Sequence, residues 1–383
     1  MDKKVYYSSL GAVILCSSFP MFIVACFFTF LPWNMDRLNI DESDIGFFIL
    51  CFGIFFILSN QISARILVPK FGTKIIMSFS IIIIAISNFF LIIAPNYFYL
   101  IFFAIPTGIG WGSTFPIAGI HANLIEKHSK KIILPYFAMG FNLGMFTGGI
   151  SAGILINYEF VPKYIFFTLF IISIFISYII YNLGLPKNLD FKGKGDKLQI
   201  PEKKVLVFGL LLFIIFGSMG IVIDWSSLWL TKDLKAPLYL GGLGLIFFSC
   251  GGIFANLFSV QLINFFSEKI VGCIFVLIGS FLLLVSIIIF NLYIILFSLL
   301  LYGFLTANFV PLIIRQAVRQ SSDNIPTTIS NLITMGLCST FFAPAIIGFV
   351  AETYSLTVNM YALCIMVFIS GIIFLNLFKP INN

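Results

Sequence analysis

The chain has 383 residues, of which 60% are hydrophobic and only 10% charged, with a formal net charge of +7. A soluble domain carries about 45–50% apolar and about 25% charged residues, so a water-soluble core is excluded and a bilayer is the implied solvent. The basic balance does not call for nucleic acid, because the lysines and arginines crowd the loops at one end of the apolar segments.

About 20 consecutive apolar residues cross a bilayer as a helix. Twelve such spans are predicted, at 8–32, 44–67, 75–94, 97–120, 134–156, 163–183, 205–230, 239–263, 270–289, 292–314, 327–350 and 355–378. The first follows Met1-Asp2-Lys3-Lys4. It is long for a signal peptide, and no small-x-small cleavage site follows, so an uncleaved first span is expected. Connections as short as Pro95-Asn96 require antiparallel neighbours. Pro20, Pro116, Pro311 and Pro344 fall within spans, where each removes a helix hydrogen bond and predicts a kink. The 48 Phe residues read as lipid-facing bulk. The seven cysteines all lie in apolar segments with no Cys-x-x-Cys, as small hydrophobes do.

Placing the N-terminus inside leaves only Arg37, Lys163, Lys232 and Lys235, of 22 basic residues, on the outside. That asymmetry predicts both termini on the cytoplasmic side, in a bacterial cytoplasmic membrane. A polar Lys- and Gly-containing stretch, 186–204, reads as a cytoplasmic linker near anionic headgroups. It separates an N-terminal six-helix half, 1–185, from a C-terminal one, 205–383.

The halves repeat. Gly108 and Pro116 recur as Gly303 and Pro311 at an offset of 195. Met139-Gly140 recurs as Met335-Gly336, and Gly46 and Gly53 as Gly244 and Gly251. Many secondary transporters are built from such multi-span repeats, with substrate held between them near the bilayer midplane.

Twelve spans, two six-span repeats and a basic central loop resemble the major facilitator superfamily, over nearly the whole chain. The family's loop between spans two and three reads Gly-x-Leu-x-Asp-Arg-x-Gly-Arg-Arg. Arg65 to Lys74 keeps Leu67, Lys70, Gly72 and Lys74 but has Arg65 for the leading Gly and Pro69 for the Asp. Since that Asp helps latch the cytoplasmic side in the family, the resemblance leaves the latch here without its usual acid. Leu38 to Gly46, Asn123 with Glu126, and Asp224-Trp225-Ser226 resemble the fucose-permease-like branch in particular. Gly140, Gly144, Gly148 and Gly149 resemble the antiporter signature of span five, with Met145 in place of its Pro. Small residues four apart equally let helices pack closely.

Asp224 is the acid clearly within a predicted span. An intramembrane carboxylate is expensive and marks a functional site by default, so Asp224 and Trp225 are candidates for proton coupling or an outer gate. A capping role near the outer surface, with Trp225 and Trp229 as belt aromatics, is the plainer alternative. Substrate-binding candidates are Thr107 and Trp111 of span four, Asn142 of span five and Asn256 of span eight. Tyr302, Thr306 and Asn308 of span ten and Asn331 of span eleven complete them. Interhelical bonding is the competing use of each. Lys70, Gly72, His121, Glu126 and Arg315 form the candidate cytoplasmic gate. Gly108-x-Gly110-x-Gly112 lacks the preceding strand of a nucleotide fingerprint and reads as helix packing. No metal ligand set, cofactor motif or ATP-binding motif occurs, and no enzyme is expected.

The expected fold is therefore all-α and integral to the membrane, in the major facilitator architecture, as a monomer. The expected function is a permease for a small polar organic solute, working by alternating access, with proton symport and facilitated diffusion both open. The alternative keeps the fold and exports a hydrophobic or siderophore-like compound by proton antiport.

Overall fold

The computed structural model describes residues 2–129, 133–190, 202–321 and 325–379. Among these, twelve helices are long and apolar enough to cross a membrane. Spans one to six are Lys3–Thr29, Glu42–Phe71, Thr73–Ile93, Tyr97–Ser129, Tyr136–Asn157 and Pro162–Leu183. Spans seven to twelve are Lys203–Lys232, Leu238–Leu257, Ser259–Ile289, Leu292–Gln320, Asn331–Thr353 and Leu356–Leu377. In hydrocarbon every backbone polar group must be satisfied within the chain, which is why apolar runs of this length become helices. Span four runs nine residues past its predicted end, to Ser129, because its polar tail stays helical beyond the apolar run.

The described chain divides into two compact units, Met1–Asp41 with Phe47–Lys197, and Glu42–Gly46 with Leu198–Asn383. Within the first, span one packs on span five, and span three on spans four and six. Within the second, span seven packs on span eleven, and span nine on spans ten and twelve. The internal repeat of the sequence thus returns as a repeat of helix pairing.

Two close approaches follow the repeated glycines. A Cβ on Gly108 would strike the Phe52 carbonyl of span two, and one on Gly303 would strike the Phe248 carbonyl of span eight. In span five, Gly144 and Gly148 face the Ser18 and Phe22 carbonyls of span one. The glycines of the antiporter-like signature therefore pack two helices at backbone contact, the geometry small residues allow.

Helix irregularities fall at informative places. Span two contains the π-helical turn Ser63–Leu67, and span seven contains Ile221–Trp225. Pro20 and Pro344 sit inside their helices. Span ten is interrupted after Thr306 and resumes at Phe309, two residues before Pro311, whose missing N–H weakens the helix there. Gly72 turns the chain between spans two and three at φ +83°. Ser267, 195 residues later, has φ +75° and breaks the helix Ser259–Lys269, so the break inside span nine reproduces the turn before span three.

Candidate functional site

The π-helical turn Ile221–Trp225 of span seven carries Asp224. A π-turn inserts one extra residue into the helix and frequently marks a functional position. Asp224 is half-buried, and no hydrogen bond or ion pair reaches its carboxylate among the described residues. The two residues after it also hold unspent polar groups: Trp225 Nε1 and Ser226 Oγ are fully buried without partners. Ser226 lies against Gly244 of span eight, where a larger residue would collide with its side chain. Three consecutive residues inside a span therefore keep hydrogen-bonding capacity that the protein itself does not use. Because an unpaired buried polar group costs about 1–3 kcal/mol, such a cluster is a candidate binding position.

Trp229, one turn on, differs. Its indole N–H donates to Thr357 Oγ1 at 3.0 Å, and Thr357 N–H and O–H donate to Asp233 Oδ2 at 2.8 and 2.7 Å. That network joins spans seven and twelve. Both indoles are buried, unlike the interfacial ring of a belt aromatic.

The substrate-binding candidates separate by whether their polar groups are already used. Thr107 donates to Phe103 O and Thr306 to Tyr302 O, each within its own helix at 2.7 Å. Asn142 Nδ2 donates to Ala138 O at 3.1 Å. Asn308 Oδ1, at the break in span ten, accepts the Ser259 hydroxyl at 2.6 Å. Tyr302 is buried and packs its ring on Phe248. Trp111 Nε1 and Asn331 Nδ2 are buried with no partner, and half-buried Asn256 makes no hydrogen bond among the described residues. Trp111 belongs to the first unit, Asn256 and Asn331 to the second.

At the end of the first unit where the basic loops lie, three segments meet on one hydroxyl. Thr73 opens span three, and its N–H donates to both oxygens of Asp190 at 3.1 and 2.9 Å. Its hydroxyl donates to Asp190 Oδ1 at 2.6 Å, since a carboxylate only accepts. The hydroxyl has one proton, so His121 Nδ1, also at 2.6 Å, is the donor in that contact. His121 Nε2 is then the lone-pair nitrogen, and it accepts Leu185 N–H at 3.4 Å. Both ring nitrogens thus agree on a neutral imidazole with its proton on Nδ1. His128 Nε2 lies 3.1 Å from Leu189 O, and Leu185 is buried with Val13, Ala122, Ile125 and Ile133, Leu189 lying partly buried against them. Asp190 Oδ2 stands where a Cβ on Gly72 would be, so the left-handed turn and the carboxylate both require glycine there.

The expected gate residues do not all join this cluster. Gly72 and His121 belong to it, whereas Lys70 is exposed. Glu126 Oε1 accepts Ile133 N–H at 2.5 Å across the connection from span four to span five. Arg315 lies in the second unit, where its guanidinium meets Glu268 Oε1 at 2.5 Å and Arg319 meets Oε2 at 2.7 Å. Residue-type reasoning passed over Thr73, Asp190, Glu268 and Gln316. The offset of 195 was the signal that finds the last two, for it maps Thr73 to Glu268 and His121 to Gln316.

Comparison with known proteins agrees with this architecture. The Major Facilitator Superfamily model matches residues 13–221, more than half the chain, and the chain belongs to that superfamily of secondary transporters. An uncharacterized MFS-type transporter of Yersinia pestis is 23% identical over 340 residues, covering 86% of this chain and 85% of its own. A D-xylose-proton symporter superposes with a TM-score of 0.77 at 12% identity, over 98% of both chains. A bacterial homologue of the human lysosomal transporter Spinster gives 0.75 at 12% identity, over 98% and 97%. A nucleoside transporter gives 0.70 at 14% identity, over 97% and 99%. At these identities the structures share the fold with this chain.

Proposed function

We propose that the chain is a permease for a small, polar, uncharged organic solute, working by alternating access in a bacterial cytoplasmic membrane, with Asp224 coupling uptake to protons. The observation that carries this reading is the unpartnered Asp224 carboxylate inside span seven, next to the unspent Trp225 N–H and Ser226 hydroxyl. A carboxylate kept in a span without a cationic partner exchanges a proton without breaking an ion pair. Trp111 within the first unit, and Asn256 and Asn331 within the second, are each taken as a candidate solute contact of its own unit, because their hydrogen-bonding groups remain available.

An uncharged solute fits the charge inventory. Among the described residues no lysine or arginine pairs with Asp224, and those inside spans away from helix ends, such as Arg65, Lys269 and Arg315, sit toward the basic end. Two fold neighbours, a D-xylose-proton symporter and a nucleoside transporter, support a hydroxyl-bearing metabolite as the first class to screen. The span-five glycines pack against span one, so helix packing accounts for them without an antiporter role, and export of a hydrophobic or siderophore-like compound stays the alternative.

The test is reconstitution in liposomes. A library of sugars, polyols and nucleosides is screened by thermal shift, and the best hit is assayed for uptake with and without an inward proton gradient. Gradient-driven accumulation that Asp224→Asn reduces to equilibration is the expected result. Accumulation unchanged in Asp224→Asn removes the residue from coupling, and binding confined to bulky apolar compounds overturns the permease reading.

A further inference from the structure

The chain that leaves span six does not go straight into the linker. Gly184–Asp190 folds back on its own half and is held at both ends. At the near end Leu185 N–H donates to His121, and at the far end the Asp190 carboxylate receives Thr73 N–H and O–H. Leu185 and Leu189 bury their side chains between these points against the first, fourth and fifth spans. An Asp that accepts the first free N–H of a helix acts as its N-cap, a role ordinarily taken by a residue just before the helix. Here the cap comes from 117 residues away.

The second half makes the same fastening with different chemistry. Gln316, fully buried on span ten, donates through Nε2 to Lys379 O at 3.1 Å and accepts Lys379 N–H at Oε1 at 3.3 Å. Gln320 Nε2 donates to Leu377 O at 2.9 Å. The chain leaving span twelve is thus bound to span ten, as the chain leaving span six is bound to span four.

We propose that Gly184–Asp190 is a strap that fixes the spacing of spans three, four and six at the basic end of the first half, with Asp190 as its clasp. Lys379 and Gln316 form the corresponding fastening in the second half. The clasp depends on a charge that reaches across the half to a helix terminus. Spans three, four and six therefore move as one body, and a pull from the linker stops at Asp190 before reaching span six.

Peptide-resolved hydrogen exchange on the full-length protein in lipid nanodiscs tests this. Asp190→Asn is expected to speed exchange about tenfold in the peptide that starts span three and in the peptide containing Leu185, while the middle of span three stays protected. Thr73→Val keeps the N–H that Asp190 caps and removes only the hydroxyl shared with His121. It is expected to raise exchange at Leu185 more than at the start of span three. The double variant should match Asp190→Asn, because both changes break one unit. Gln316→Leu should open the peptide containing Lys379 and leave Thr73 protected. Unchanged exchange at both peptides in Asp190→Asn, or additive effects in the double variant, overturns the strap. Should Asp190→Asn not fold, Thr73→Val with unchanged exchange at Leu185 overturns it equally.

Discussion

Gln316 lies 195 residues after His121, and each side chain ties the fourth helix of its half to the chain leaving that half's last helix. His121 does so with an imidazole lone pair on Leu185 N–H, Gln316 with a primary amide on both the N–H and C=O of Lys379. Both are fully buried. Two chemically different residues fill one position of a repeated fold because each offers an acceptor to the chain leaving the last helix of its half.

That equivalence gives a paired prediction. His121→Leu leaves the N–H of buried Leu185 unpaired, at a cost of about 1–3 kcal/mol, whereas Gln316→Leu frees the backbone groups of exposed Lys379, which water can reach, at a smaller cost. His121→Leu also leaves Thr73 Oγ1 without a donor, so it is expected to be at least as damaging. Thermal unfolding in detergent should show both destabilised. His121→Gln retains an amide of suitable reach and should recover part of the loss. Equal stability of His121→Leu and the unmodified protein would show these bonds to be energetically idle.

The contrast with Glu268 sharpens the point. Its pairs with Arg315 and Arg319 lie at a partly solvated end, with the Arg315 side chain 51% exposed. Exposed ion pairs contribute about 0–1 kcal/mol. Glu268→Gln is therefore expected to shift the unfolding temperature little, and less still at high salt, where screening weakens such pairs. A loss as large as that of His121→Leu would contradict this ranking.

Much of the fold was legible in the sequence because a bilayer requires it. Apolar runs of the right length gave all twelve helices, and the Gly108/Gly303 pair foretold two equivalent helix contacts. The irregular positions were not legible. Nothing in Ile221–Trp225 marks a π-turn, and Ser267 adopts a left-handed conformation that its residue type disfavours. The Asp190 clasp was hidden for another reason. Pro69 occupies the place of an acid expected in the loop before span three, whereas the acid that caps Thr73 lies 117 residues away, at the edge of a polar stretch. Residue type alone also could not tell Trp111, whose N–H is free, from Thr107, whose hydroxyl is spent one helical turn back.

The packing reading of span five makes its own prediction. Gly144 leaves no room for a side chain against Ser18 O and Met21. Overpacking of a well-packed contact costs typically about 1–3 kcal/mol. Gly144→Val is expected to lower the yield of monodisperse protein and its thermal midpoint, with Gly144→Ala milder. If Gly144→Val folds normally but loses transport, the glycines serve the transport cycle more than helix packing.

Trp111→Phe separates a binding role from a structural one most cleanly. The indole is 5% exposed and its N–H has no partner. Replacing it with a ring that lacks the donor removes an unsatisfied buried group, a change worth about 1–3 kcal/mol in favour of the folded state before the smaller ring's packing loss. Losing some ring contacts in a well-packed interior offsets part of that gain. The unliganded protein should therefore unfold at the same temperature or slightly higher. Were the N–H a solute contact, the same substitution would weaken binding by about tenfold, the equivalent of one hydrogen bond of about 1.4 kcal/mol. Thermal-shift titration with the best hit from the sugar, polyol and nucleoside screen reads both quantities in one experiment. Unchanged stability with weakened binding places Trp111 in the solute site. Unchanged binding removes it from that site, and a marked loss of stability without ligand shows that its packing, rather than its free N–H, is why the position holds tryptophan.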